Sequence, residues 1–360
     1  MLRRINPSSE HAAPGGIRLF ARLRNEASRL PHFLHYYRNL GIDRFFLVDN
    51  DSSDQTTGLL AGEPDVVLFQ AAGSYRSAGG GLDWLNALLD AYGPGNWCLT
   101  VDADELLFYP GIERRRLQDL CRALEREGAE ALACTMLDMY SEGRVHESPY
   151  HPGTPFLATC QWFDPAPYWQ AGTRSDCPPE ETYGGVRQRV FFPQWHNPSL
   201  AVRASERFFN IVNRSATVRR QAWLQRRRLP RPPNLTKVPL VKWQRGYRYL
   251  ASTHKISRVT LSAARAALLH FKFLGEFRKK AALEARRGEY FDGAREYRTY
   301  HTMMDQDPGL TLWYPGSVSL QDSTQLQELG LMREASAWTE ECAAAALVTC
   351  RREAIPPTTA

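Results

Sequence analysis

Trp97-Cys98-Leu99-Thr100-Val101-Asp102-Ala103-Asp104-Glu105 is the stretch on which the reading of the whole chain turns. An apolar, strand-favouring run ends without a spacer in three carboxylates within four positions,. Side chains alternate along a strand, so Asp102 and Asp104 share one direction at its end while Ala103 points to the core. Carboxylates this close repel one another unless cations or hydrogen-bond donors offset them. Their oxygens suit Mg2+ or Mn2+, with diphosphate and water completing the coordination shell. A solvated acidic turn would show the same local pattern, so the flanking segments must decide.

Working back towards the N-terminus, residues 17–23 read as a strand that delivers Arg24-Asn25-Glu26. A helix over 29–40 follows, with Leu30, Phe33, Leu34, Tyr37 and Leu40 on one face, Pro31 in its first turn and Gly41 at its end,. A strand over 44–48 leads into Asp49-Asn50-Asp51-Ser52-Ser53-Asp54, and a third strand spans 66–69. A helix over 82–92 stops at Gly93-Pro94-Gly95. This alternation predicts an α/β fold with a mixed, mostly parallel sheet covered by helices on both faces. Ligands of such sheets gather at the carboxyl ends of strands, where all three polar clusters fall.

Working forward, a helix over 116–127 and a strand over 130–139 precede an irregular stretch, 142–181, read as acceptor-side loops,. Residues 184–192 are strand-like, 217–236 are basic and Pro-rich, and a further strand lies within 240–250. Helices are expected over 261–273 and 277–287. The division that follows is a flexible lead-in over 1–16, a catalytic domain over 17–250 and a mainly helical extension over 251–360 that completes the site. Within the catalytic domain the donor half covers 17–110 and the acceptor half 111–250.

With 360 residues, 43% of them hydrophobic, the chain can bury a substantial core,. Its formal charge of +6 favours phosphate, nucleotide, nucleic acid or an anionic membrane,. Basic residues alternate with acids, as in Glu284-Ala285-Arg286-Arg287-Gly288-Glu289, which argues against nucleic acid as a partner,. Seven cysteines, an odd number without a CxxC pair, point to reduced thiols and a cytoplasmic protein,. No apolar run reaches the roughly 20 residues of a spanning helix. Peripheral association at the inner face of the membrane stays open. Neither GxGxxG nor a Walker pattern follows the first strand, which disfavours dinucleotide oxidoreductases and phosphate-loop ATPases.

Taken in order, Ala21-Arg22-Leu23-Arg24-Asn25-Glu26, Tyr36-Tyr37-Arg38-Asn39-Leu40-Gly41-Ile42, Val48-Asp49-Asn50-Asp51-Ser52-Ser53-Asp54 and Val101-Asp102-Ala103-Asp104-Glu105 resemble the glycosyltransferase family 2 superfamily. The likeness extends more thinly through Gly184-Gly185-Val186-Arg187-Gln188-Arg189 and Lys237-Val238-Pro239-Leu240. It implies a GT-A (Rossmann-like) fold, a nucleotide-diphosphate sugar donor (a UDP-sugar by default), a carbohydrate or other hydroxyl acceptor, and Mn2+ or Mg2+. Arg24, Asn25, Glu26, Asp49, Asn50 and Asp51 would hold the nucleoside. Asp102 would lie near ribose and metal, and Asp104 would be the direct metal ligand. His254 resembles a late family position that completes the metal shell, with His270 as the less favoured candidate. Lys255 or Lys272 would meet the diphosphate.

Inversion at the anomeric carbon requires a carboxylate base by the acceptor hydroxyl. The family's usual Glu-Asp pair has no clear copy here, so Glu180 and Glu181 are the preferred bases and Asp176 the alternative. Trp162, Trp169, Trp195 and Trp243 offer faces for a sugar ring. Two other readings use the same residues: a metal-dependent nucleotidyltransferase and a non-catalytic carbohydrate-binding protein.

Overall fold

The structure is a computed structural model that describes residues 2–10, 15–145, 147, 149–172, 177–178, 180–195, 204, 231–289 and 291–338. Asp176, Cys342, Cys350 and the basic stretch 217–230 lie outside the described residues.

Strands β1 (Leu2–Arg4), β2 (Ile17–Leu23), β3 (Ile42–Asp49), β4 (Val66–Ala71), β5 (Trp97–Thr100), β6 (Glu105–Phe108) and β7 (Ala131–Asp138) come in chain order. After β8 (Trp162–Phe163), β9 (Tyr168–Gly172) and β10 (Glu180–Gly184) come β11 (Thr236–Lys242) and β12 (Leu261–His270). Nine of these form one sheet in the order β1-β4-β3-β2-β5-β11-β7-β12-β6. The pairs β4-β3, β3-β2, β2-β5 and β7-β12 are parallel. The other four, β1-β4, β5-β11, β11-β7 and β12-β6, are antiparallel. The sheet is thus mixed rather than mostly parallel, and broadly Rossmann-like.

Alternation explains the two covered faces. On β2, Leu19, Ala21 and Leu23 pack with Leu30, Phe33, Leu34 and Tyr37 of α1 (Leu30–Asn39) and Leu117, Leu120 and Leu124 of α4 (Leu117–Arg126). Phe20, between them in sequence, joins Phe46, Val48 and Val67 against Trp84, Leu85, Leu88 and Leu89 of α3 (Leu82–Tyr92). α2 (Thr56–Ala61) links β3 to β4. A third apolar cluster seats α6 (Phe277–Arg287) and α7 (Phe291–Gln306) through Phe273, Phe277 and Tyr300, against Phe191 of a π-helical turn, Arg187–Phe191. Two shorter helices are α5 (Phe156–Thr159) and α8 (Ser323–Glu328).

Four segment readings are corrected. Residues 261–273, expected as helix, contain β12, inserted between β7 and β6. The run from Ala266 to His270 is buried throughout, and a short continuous apolar run has the same pattern in a buried strand and a buried helix,. The stretch after residue 250 therefore contributes to the main sheet before it turns helical. The lead-in is not loose throughout: β1 pairs with β4, and the Asn6 amide donates to the Val66 carbonyl at 2.7 Å and accepts from the Leu68 N–H at 2.9 Å. The strand expected within 240–250 is β11, and it begins earlier, at Thr236. Strand character expected over 184–192 ends at Gly184, where the π-helical turn takes over.

Among the described residues no helix is long and apolar enough to cross a membrane. Cys98, Cys121, Cys134, Cys160 and Cys177 are buried and, among the described residues, in no disulfide.

Candidate active site

β2 pairs with β3 on one side and β5 on the other, so the strand order reverses between β2 and β5. A reversal of this kind leaves room for ligands beyond the carboxyl ends of the strands. Those ends carry Arg22 and Arg24, Asp49 and Asn50, and Asp102 and Asp104.

The acidic strand end has the alternation read from the sequence. Ala103 is buried in the core, whereas the Asp102 and Asp104 side chains keep 39% and 15% of their surface. Their environments differ. Lys237 Nζ lies 3.1 Å from Asp102 Oδ2 and also pairs with the fully buried Glu105. Arg22 Nε approaches Asp102 Oδ1 at 3.9 Å. Burial opposes ionisation of Asp102, but Lys237 and Arg22 outweigh it and hold the carboxyl below its usual range. Glu105 anchors the turn by accepting the Asp102 N–H at 3.1 Å, so it is a structural acid.

Asp104 faces the late strand instead. Its backbone oxygen accepts the Phe271 N–H at 2.7 Å, and His270 Nε2 lies 3.7 Å from Asp104 Oδ2. His270 Nδ1 is 2.6 Å from Asp138 Oδ1, and Arg187 Nε donates to Asp138 Oδ2 at 2.6 Å. Burial would raise the Asp104 carboxyl, but His270, Lys280, Arg29 and Lys272 bring it well below its ordinary value. Asp138 is likewise kept ionised against burial by Arg187 and His270. With Nδ1 held by Asp138, His270 turns Nε2 towards Asp104, where a proton on Nε2 or a cation between the two would satisfy both,.

These donors fit a divalent cation in a specific way. Among the described residues, no three His, Cys, Asp or Glu side chains form a metal-holding group by themselves. Asp104 and His270 offer one oxygen and one nitrogen, with Asp138 orienting the imidazole from behind,. Further positions would fall to a phosphate-bearing ligand and water.

His254 lies within electrostatic reach of Asp102 and is held by the backbone. Its Nδ1 bonds the Thr236 carbonyl at 2.7 Å, and burial, then Lys237, lowers its pKa to about 3. His270, not His254, meets Asp104. Lys255 pairs with Glu181 at 2.9 Å. Lys272 pairs with Glu296 at 2.9 Å and Lys280 with Glu26 at 2.6 Å, both within electrostatic reach of Asp104.

The loops at β2 and β3 hold one another. Arg24 Nη1 donates to the Asn50 carbonyl at 3.0 Å. Asn25, at φ 54°, accepts the Ser53 N–H at 2.8 Å. Glu26 accepts from Arg29 at 2.7 Å and from Lys280, so Asn25 and Glu26 already have protein partners. Asp51 is exposed, at φ 57°. Asp49 accepts the Ser52 N–H at 3.2 Å through Oδ2, while its Oδ1 and Asn50 Oδ1 are buried and, among the described residues, have no hydrogen-bond partner. Buried acceptors without donors are costly, so these two oxygens mark where ligand donors would be received.

On the expected acceptor side, Glu180 is exposed and Glu181 accepts from Tyr183 Oη at 2.6 Å as well as from Lys255. Burial opposes these partners, yet Glu181 stays below its usual pKa, a poor setting for a base that must take a proton near neutral pH,. Trp243 and Trp195 are buried and Trp162 is half-buried. Trp169 is 38% exposed and stacks on Tyr183 at 4.6 Å.

Lys237, Asp138, Lys280 and Glu296 were not singled out from the sequence as site residues. Asp138 carried a usable signal: like Asp102, it is an acid closing an apolar strand.

No protein-family model matches this chain, and no curated protein matches it. It is similar to the crystal structure of 4-diphosphocytidyl-2C-methyl-D-erythritol synthase, at 14% identity and a TM-score of 0.25 over 41% of this chain and 68% of that one. It is also similar to a Bacillus anthracis protein described as a glucose-1-phosphate thymidylyltransferase and solved with a sucrose. There the identity is 8% and the TM-score 0.25, over 62% of this chain and 89% of the other. At these TM-scores neither likeness carries an activity or a site residue over to this chain.

Proposed function

We propose that the chain is a nucleotide-using transferase, and more narrowly a glycosyltransferase that takes a sugar from a nucleotide-diphosphate donor. The observation that carries this reading is the approach of His270 Nε2 to Asp104 Oδ2, 3.7 Å, where β12 pairs with the start of β6. In this reading Asp49 and Asn50 receive nucleoside donors through their unpartnered oxygens. Asp104, with His270, faces the diphosphate, and Lys272 and Lys280 lie on its flank. Asp102, held by Lys237 and Arg22, orients the ribose side. When bound, Mn2+ or Mg2+ held by Asp104 and His270 supplies positive charge to offset that developing on the departing diphosphate. The exposed Trp169 face, backed by Tyr183, suits a sugar ring and favours glycosyl transfer over the second reading.

That second reading is nucleotidyl transfer, for which the same carboxylates would serve. Products separate the two. Purified protein is screened against nucleotide sugars and against nucleoside triphosphates with sugar phosphates, with Mn2+, Mg2+ or chelator. Release of nucleoside diphosphate supports glycosyl transfer. Pyrophosphate release establishes the second reading, and neither product with any substrate would leave a binding protein.

A further inference from the structure

The Asp104 site leaves unexplained a polar cavity of about 280 Å³ elsewhere on the sheet. Its walls include Thr135 of β7, Arg265 of β12, Gln170 and Thr182 of the β9–β10 hairpin, and Arg333 after α8. Its size is at the small end of ligand pockets, which run from about 300 to 1,000 Å³.

Two arginines meet here in a way that folding alone does not favour. Arg265 and Arg333 form an isolated antiparallel bridge, exchanging backbone hydrogen bonds of 3.0 and 2.8 Å. Residues directly opposed across such a bridge point their side chains to the same side, and like charges so placed destabilise. Among the described residues neither guanidinium is in an ion pair. Arg265 Nη1 reaches only the Thr135 and Thr182 hydroxyls, each at 3.3 Å, and Arg333 Nη1 the Ala263 carbonyl at 3.5 Å. Burial and Arg333 weaken the hold of Arg265 on its proton, and the pull of Glu180 in the other direction does not restore it.

The cavity is separate from the Asp104 site. Arg265 and His270 are five positions apart on β12, in unbroken register with β7. An odd spacing puts their side chains on opposite faces of the sheet, about 16 Å apart along the strand.

We infer that this cavity binds the phosphate of a monosaccharide-sized ligand, with Arg265 and Arg333 on the anion and Thr135, Thr182 and Gln170 as neutral hydrogen-bonding partners. Paired guanidiniums match phosphate oxygens, and hydroxyls and an amide suit the hydroxyls of a small sugar. The inference stands independently of the donor reading.

The test is calorimetric titration of the full chain with inorganic phosphate, glucose 6-phosphate and glucose. Saturable binding of either phosphate compound is expected, with glucose silent. Tighter binding of glucose 6-phosphate assigns the ester, and equal binding assigns the ion itself. Arg333→Glu places a carboxylate beside Arg265, so it should raise the melting temperature while weakening phosphate binding about tenfold or more. Arg333→Gln, at an exposed position, removes the charge without adding one and should weaken binding in the same direction. Absence of phosphate binding, or binding unchanged in both variants, would overturn the inference.

Discussion

The two halves of the sheet are built by different rules. From β4 to β5, neighbours are parallel and each strand is joined to the next by a nearby helix. From β11 to β6, the strands come from residues 236–242, 131–138, 261–270 and 105–108, mostly antiparallel and far apart in sequence. The first half presents ligand acceptors at strand ends, and the second supplies the groups that set their charge. Asp102 is held across this seam by Arg22 from β2 and Lys237 from β11. Asp104 is answered mainly by later chain, through His270 on β12 and Lys280 on α6, with Arg29 just before α1 adding to them. Local strand–helix alternation can therefore build the polar rim at the strand ends, while its electrostatics depend on long-range pairing.

The largest way to break the comparison is to remove the cation on the seam. Lys237→Met leaves Glu105 buried and unpaired beside Asp102, and should cost about 3–5 kcal/mol in denaturant unfolding. Adding Glu105→Gln should recover much of that loss. If Lys237→Met alone cost less than about 1 kcal/mol, the two halves would not be joined through this charge.

Next in size, Asp104→Asn should lower turnover by about a hundredfold, roughly 2.7 kcal/mol, and should also lower stability, since the cations around Asp104 lose their carboxylate,. His270→Gln should fall in the same direction, while His254→Gln should leave turnover far less affected. Equal losses at the two histidines would erase the distinction drawn between them.

Acid sensitivity gives a smaller effect. His254 titrates near 3 in the folded chain and near 6.5 when unfolded, so between those values the unfolded state binds more protons,. Stability from this group is complete above pH 6.5 and declines as pH falls towards 3, by about 1 kcal/mol per unit. Urea unfolding from pH 7 to 5 should show that slope, and His254→Gln should flatten it.

Smallest is the first-half loop. Asn25→Ala forces alanine into a left-handed backbone and removes the acceptor for the Ser53 N–H, a loss of about 1–2 kcal/mol,. Asn25→Gly keeps the backbone and should lose less.

The same division governs what could be read from the sequence. The strand over 17–23 was legible to the residue, and that expected over 44–48 is Ile42–Asp49, because apolar residues there are bounded by local turn signals. Asp102 and Asp104 were legible because an acidic cluster closing an apolar strand is a local pattern. β12 was not, since a run buried on both sides has no face to show. Nor was the Asp138–His270 contact, which joins residues 132 positions apart through strand register alone. Without that contact His254, among small polar neighbours, looked the better ligand than His270 between Leu269 and Phe271.

The most direct test of the central claim is calorimetric titration of nucleoside diphosphates, with Mn2+ present, into the wild type and into Asp104→Asn. The account predicts that at least one nucleoside diphosphate binds saturably and that Asp104→Asn weakens it about tenfold or more. Binding equal in both proteins, or no binding of any nucleoside diphosphate, would contradict it.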